Sequence, residues 1–340
     1  MKRLVIFAIS LLLLSGLFGC GQEEDGAKPA AKDGLREITI AQFGHVFIYM
    51  PLYVAIEGGF FEEQGLKVNL INGGGDEKTF AAVASGQAQF GVADPTFAAI
   101  ARERGQPGIV VGTVVSGAPF WGVARNRSKI TALSQLKDLR IATYSAPSTN
   151  YALINKTLRD NAEIVGNAKV VQGAFGGLLA MLEADLADIA MVLEPTVSLA
   201  VAAGAEVVFS YPEHYGKFFL TGLYTLEATR DSDPELVQKA VNALDAALGF
   251  SHENPGEVKR IAQRMFPELS ENIVSNAIDR MLLEGTMPRR ALIDPEGWEK
   301  AIAVRLANED LQDESAAKAT VDNSFAERAH GENSEPAGEK

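Results

Sequence analysis

The chain has 340 residues, 47% hydrophobic and 22% charged, a balance that suits a folded body and excludes a wholly disordered one. Its formal net charge of −13 argues against nucleic acid as a partner. Cys20 is the single cysteine, so no internal disulfide can form.

Lys2 and Arg3 precede a nearly unbroken apolar run from Leu4 to Phe18. The run closes on Leu17-Phe18-Gly19-Cys20 and turns abruptly polar at Gly21-Gln22-Glu23-Glu24-Asp25. A basic start, a short apolar core and a small residue before the cut describe a secretory signal. The run is short for a membrane span, which takes about 20 apolar residues. Leu-x-Gly-Cys resembles the bacterial lipobox. That resemblance implies loss of residues 1–19 and a lipid anchor on the Cys20 thiol, each buried methylene contributing roughly 0.8 kcal/mol. An unmodified thiol is the plainer alternative. Residues 20–36, rich in charge, Ala and Gly, are expected to form a flexible tether, and residues 331–340 a polar tail.

The body opens with an apolar strand, Ile38 to Ala41, that breaks at Gln42-Phe43-Gly44-His45. Pro51 then starts a helix, where its missing N–H costs nothing. Leu66 to Ile71 alternates as a strand. Asn72-Gly73-Gly74-Gly75-Asp76 turns into a helix through Phe80 to Ala88. Phe90 to Ala93 is a third strand, and Asp94-Pro95 begins the helix Thr96 to Arg104. The same order recurs further on. Leu139 to Ala142 is a strand, Tyr144 to Thr149 a polar loop, and Tyr151 to Leu158 a helix. Ala168 to Gln172 is a strand, and Gly173-Ala174-Phe175-Gly176-Gly177 leads into the helix Leu178 to Ala184. Asp188 to Leu193 is a strand, and Glu194-Pro195 starts another helix. Lys67 to Asp94 spans 27 positions and Lys169 to Glu194 spans 25, with a Gly-rich turn at the same place in both. The pattern reads as two copies of one strand–helix module.

Alternating strands and helices predict an α/β fold of two lobes, each a mostly parallel sheet flanked by helices. Ligands of such sheets bind beyond the carboxyl ends of the strands, so two facing lobes would share one cleft. Phe120 to Ala124 and Leu220 to Tyr224 are expected to be the two strands that cross between lobes and form the hinge. Lobe 1 is then discontinuous, residues 37–124 plus 222–330, and lobe 2 is 125–221. From Asp233 onward the chain reads as helices: Glu235 to Phe250, Pro255 to Met265, Ser270 to Leu283, Pro295 to Leu306 and Ser324 to Ala329.

Several stretches resemble the solute-binding proteins of ABC importers for nitrate, sulfonates, taurine and pyrimidine precursors. They are Pro51 to Ala55, Glu57-Gly58-Gly59-Phe60-Phe61-Glu62-Glu63-Gln64-Gly65-Leu66-Lys67-Val68, Ala84 to Phe90, Leu136 to Ala142, and Glu194-Pro195 after an apolar strand. The similarity runs from about residue 37 to 329. It implies a type II periplasmic-binding fold, no catalysis, and a membrane permease with an ATPase subunit as partner. The chain would then be a monomeric, lipid-anchored, extracytoplasmic binder that captures a solute and hands it on.

The candidate ligand contacts cluster in the loops. Phe43, His45 and Phe47, with Tyr49, follow the first strand, where aromatics could stack on a flat solute or simply pack. Gly74 and Gly75 would let backbone approach a ligand, or only make a turn. Tyr144, Ser145, Ser148 and Thr149 precede a helix, where hydroxyls and free N–H groups hold an anion or cap the helix. Phe175 lies in the second Gly-rich loop. Asp94 and Glu194 hold equivalent places; each caps a helix or meets a ligand. In pyrimidine-precursor relatives a glutamate at the motif matched by Glu194 contacts the ligand amine. Trp121 lines the cleft floor or fills the hinge.

Asp76, Asp94 and Glu194 set the expected ligand charge. An acid about 4 Å from an anion costs on the order of 1 kcal/mol in water and about 4 near a protein surface. No arginine stands in the predicted loops, and Arg125 and Arg127 by the first crossing strand are the nearest candidates. A neutral or weakly basic, planar heterocyclic solute follows. Scattered histidines and one cysteine give no metal site or cofactor. The alternatives are an enzyme like a pyrimidine-precursor synthase on the same fold, and a sulfonate or nitrate binder. Hinge closure over the solute is the expected mechanism.

Overall fold

The computed structural model describes residues 34–334. Cys20, the signal at 1–19 and most of the tether lie outside the described residues. Two five-stranded sheets form the frame. The first holds β1 (Arg36–Gln42), β2 (Leu66–Asn72), β3 (Phe90–Ala93), β4 (Gly108–Ser116) and β10 (Phe219–Leu226) in the order β2-β1-β3-β10-β4. The second holds β5 (Trp121–Ala124), β6 (Arg140–Tyr144), β7 (Lys169–Gly173), β8 (Ile189–Val192) and β9 (Glu206–Ser210) in the order β7-β6-β8-β5-β9. In each, the first three strands pair in parallel and the fourth in the order runs antiparallel to both neighbours. The two sheets thus share one topology, as the duplicated sequence pattern predicts.

Two strands, β4 and β9, add to those expected from the sequence. β4 is buried along nearly its whole length, so Ile109-Val110-Val111 and Val114-Val115 read as a continuous apolar run. β9, Glu206-Val207-Val208-Phe209-Ser210, completes the second sheet. The segments expected to cross between lobes do not cross. Trp121–Ala124 belongs wholly to the second sheet and Phe219–Leu226 to the first. A buried strand must satisfy its N–H and C=O groups in a ladder, so each stays within one sheet. The crossings are the short links 117–120 and 211–218. The lobe boundaries move accordingly: Trp121 to Ala124 leave the first lobe, and Phe219 to Thr221 join it. At the other end the helix Ser324–Ser334 runs into the expected polar tail.

One apolar core runs from the first lobe through the hinge into the second, taking in Ile40, Phe47, Tyr53, Ala118, Phe120, Trp121, Tyr211 and Val208. A smaller cluster around Phe80, Val110, Phe219 and Trp298 fills the other face of the first sheet. The long helices of the chain's last third cover the first lobe. Pro234–Glu253 packs on the helices Met50–Glu57 and Ser324–Ser334. Two of them, Glu271–Leu283 and Pro295–Ala307, also reach the second lobe, the first meeting the helix Thr196–Ala202 and the other the helix Thr149–Asp160. No described helix is long and apolar enough to cross a membrane.

Candidate functional site

A cavity of 410 Å³ lies between the lobes. The loops after β1, β2 and β3 line one side, and those after β6, β7 and β8 the other. This is where the carboxyl ends of parallel strands should place it. Phe43, Tyr49 and Phe97 face it from the first lobe, Tyr144, Phe175 and Leu193 from the second, and Phe120 and Leu220 from beside the hinge. Phe175 bridges the aromatic wall, 4.9 Å from Tyr144 and 6.1 Å from Phe43 between ring centroids. It is 56% exposed. An apolar side chain so open on a cavity wall has surface still to bury.

Of the residues singled out from sequence, Phe43, Gly74, Gly75, Asp76, Asp94, Tyr144, Ser145, Ser148, Thr149 and Phe175 line this cavity. Four others, His45, Phe47, Glu194 and Trp121, do not. His45 is exposed, stacks on Phe266 at 4.4 Å and meets the Met265 carbonyl through Nε2. Phe47 is buried and packs on the same Phe266 ring. Both follow β1 closely, but the chain turns them onto the helix Pro255–Met265, whose place the local sequence does not reveal. Glu194 is buried away from the cavity. Its Oε1 accepts from Arg280 Nε at 2.8 Å and from Ser198 Oγ at 3.0 Å, and its Oε2 from the Ser198 N–H. Burial pushes its carboxyl above the ordinary range. The glutamate therefore binds its own helix and an arginine across the lobes. Trp121 is fully buried in the hinge, its indole N–H donating to Glu284 Oε2 at 2.7 Å.

Much of the polar equipment is spent locally. The N–H groups of Gly74 and Gly75 both donate to the Phe43 carbonyl. These glycines stand at φ +80° and +141°, which other residues rarely adopt, so they shape the turn. Ser148 Oγ accepts from Tyr151 N–H, capping the helix Thr149–Asp160, and donates to the Tyr144 carbonyl. Ser145 Oγ donates to the Gly173 carbonyl.

The missing arginine is Arg305, more than 100 residues beyond the last of the loops where the charge balance called for one. It is 1% exposed, under Phe97, whose ring centroid is 5.1 Å from its guanidinium carbon. Its Nη2 donates to Asp94 Oδ2 at 2.6 Å and to Thr149 Oγ1 at 3.0 Å; Nη1 donates to the Pro147 carbonyl and to Asp310. Thr149 Oγ1 also donates to Asp94, and the Thr96 N–H and hydroxyl occupy the other Asp94 oxygen. Asp94 is thus neutralised. Arg125 is exposed and pairs with Glu183, and neither it nor Arg127 lines the cavity.

Asp76 is the acid left over. No basic side chain pairs with it among the described residues; its Oδ1 accepts from the Asp94 N–H at 2.9 Å. Removal from water and the neighbouring Asp94 push its carboxyl up to about 7. Glu77 and Lys78, exposed at the mouth, carry opposite charges. Across the cavity Asn150 is buried, its amide donating to the Met191 carbonyl at 2.8 Å while its Oδ1 has no partner. A buried acceptor left open is costly unless a donor meets it. No cluster of metal-ligating side chains occurs among the described residues.

The family described as NMT1/THI5 like matches residues 47–258. A curated relative, the binding protein YtlA of Bacillus subtilis (strain 168), is 36% identical over 76 residues. That match covers 22% of this chain and only 20% of YtlA. Among solved structures, the periplasmic aliphatic sulphonate binding protein SsuA of Escherichia coli aligns with a TM-score of 0.68 at 13% identity, over 85% of this chain and 92% of its own. The desulfurization enzyme DSZB aligns with a TM-score of 0.64 at 15% identity, over 88% and 99%. These likenesses place the chain in one two-lobed architecture that serves both capture and catalysis. By its match across residues 47–258, the chain belongs to the NMT1/THI5-like family.

Proposed function

We propose that this protein is the solute-binding component of an ABC importer and captures a small, flat, nitrogen-bearing molecule that donates hydrogen bonds. One observation carries the reading: an aromatic-walled interlobe cavity lined by Asp76, a carboxyl with no basic side chain paired to it among the described residues. A ring between Phe43, Tyr144 and Phe175 would bury apolar faces, and its N–H groups would meet the Asp76 carboxylate. Once Asp76 is ionised, an anion about 4 Å from it would instead be repelled by about 4 kcal/mol near a protein surface. The concealed Arg305 does not relieve this, because Asp94 and Asp310 take its charge.

The enzyme reading gains from the DSZB likeness. Against it, the described cavity wall carries no thiol or imidazole, the groups that nucleophilic or general-base catalysis most often uses. Capture is the better fit. Delivery to a permease, extracytoplasmic location and anchoring through Cys20 complete the proposal. Incorporation of labelled palmitate, lost in Cys20→Ser, tests the anchor, and an unlabelled wild type removes it. Calorimetry against aminated pyrimidines, taurine and nitrate tests the ligand class. Binding of an aminopyrimidine with no heat from the two anions is expected. Tight binding of taurine or nitrate contradicts it.

A further inference from the structure

The charged residues that line the interlobe cavity, Asp76, Glu77, Lys78 and Asp94, all come from the first lobe. Glu77 and Lys78 are exposed and opposite in sign, so Asp76 and Asp94 decide what charge a solute meets. The two acids are neighbours, since Asp76 Oδ1 accepts from the Asp94 N–H at 2.9 Å. Two bare carboxylates so placed would draw a solute with two basic groups. Arg305 changes that count. Its Nη2 donates to Asp94 Oδ2 at 2.6 Å, its Nε to Thr96 Oγ1 at 3.0 Å and its Nη1 to Asp310 Oδ2 at 3.1 Å, with the Phe97 ring against the guanidinium. Each of these partners belongs to the first lobe, so the arrangement does not depend on the angle between the lobes. Arg305 is buried and gripped by Asp310 on the side away from Asp94, so a solute meets it as a fixed charge. Burial and Asp94 push the Asp76 carboxyl up, and the Arg305 charge works against both, so its field reaches the second acid as well.

We infer that Arg305 is a specificity-determining residue of the cavity: as a built-in cation on Asp94 it leaves Asp76 the one acid for the solute, and so admits flat solutes with one basic group and rejects those with two. The inference rests on the reading of the cavity as a site for flat nitrogen-bearing solutes and says which of them are excluded. A second cation on the solute would find no free carboxylate and would stand beside a fixed guanidinium. Selectivity then comes from that repulsion as much as from the attraction of Asp76. Arg305 acts through Asp94, not by touching the solute.

The test is calorimetry at about pH 8, where carboxylates ionise, with two flat probes: benzamidine, which carries one amidinium, and benzene-1,3-dicarboxamidine, which carries two close together. The parent protein should bind benzamidine at least about tenfold more tightly than the dicarboxamidine, and Arg305→Ala should reverse the order by at least about tenfold, the worth of one hydrogen-bonded charge. Methylguanidinium added to the variant should take the place beside Asp94 and restore the parent's order. Arg305→Lys, which keeps a cation there, should hold that order from the start. A role in packing alone would weaken both probes together and leave their ratio unmoved. Should Arg305→Ala fail to melt cooperatively, Arg305→Gln takes its place, since it keeps a donor for Asp94 while removing the charge, and the same reversal is expected. An equal ratio in parent and variant overturns the inference and leaves the flat-base reading standing, as does a reversal that methylguanidinium does not undo. A parent that prefers the dicarboxamidine likewise overturns it. No binding of either probe to either protein brings down the flat-base reading, and this inference with it.

Discussion

Asp76 concentrates the chemistry of the cavity in one carboxyl. It begins the helix Asp76–Ala84, where a negative charge is ordinarily favoured, yet burial and Asp94 raise its pKa to about 7. A carboxyl with a raised folded-state pKa supports the fold fully at low pH, where it is neutral in both states. That support fades as pH climbs from about 4 through about 7 and the buried group is forced to ionise. Asp76→Asn should therefore leave stability unchanged below pH 4 and raise it at pH 8, by on the order of 2 kcal/mol after discounting for the water that still reaches the group. Thermal melts of both proteins across that range check this. Equal melting temperatures at pH 8 would mean that the charge is already compensated. The same substitution should weaken binding of a basic solute, so stability and affinity should move in opposite directions.

At the scale of elements, the hinge depends on a side chain from outside the repeat. Glu284 follows the helix Glu271–Leu283 and accepts from the Trp121 indole at 2.7 Å and from Ser210 Oγ at 2.9 Å. Glu284→Ala would leave a fully buried indole N–H without its acceptor, at a cost of about 1–3 kcal/mol. Arg125→Ala, which breaks only an exposed pair with Glu183, should cost under about 1 kcal/mol. Denaturant midpoints of the two variants compare them, and similar shifts would deny Glu284 its hinge role. The elements themselves were legible where one face is wet or a turn breaks the chain: β2 alternates in burial, and Gly or Pro stands near the ends of β1, β2, β6 and β7. β4 and the crossings were harder to read. A strand buried on both faces has no alternation, and nothing local in an apolar run says which sheet it joins.

For the whole molecule, repetition carried the reading further than any single motif. Matching spacings of the Gly-rich turns and acid–proline corners led to two lobes with facing loops, and residues about 100 positions apart, such as Asp76 and Phe175, do line one cavity. The charge balance could not be read the same way. Arg305 and Arg280 come from helices with no repeat partner, and only the folded chain shows that they spend themselves on Asp94 and Glu194. His45 and Phe47 were misplaced for a related reason, since the helix that claims them lies some 220 residues away in sequence. The central claim, that both lobes hold one flat solute between their loop ends, is tested most directly by a crystal grown with 5-bromopyrimidin-4-amine. The account predicts one anomalous bromine peak per chain between the lobes, against Tyr144 and Phe175. A saturated crystal with bromine only on the outer surface, or none, would contradict it.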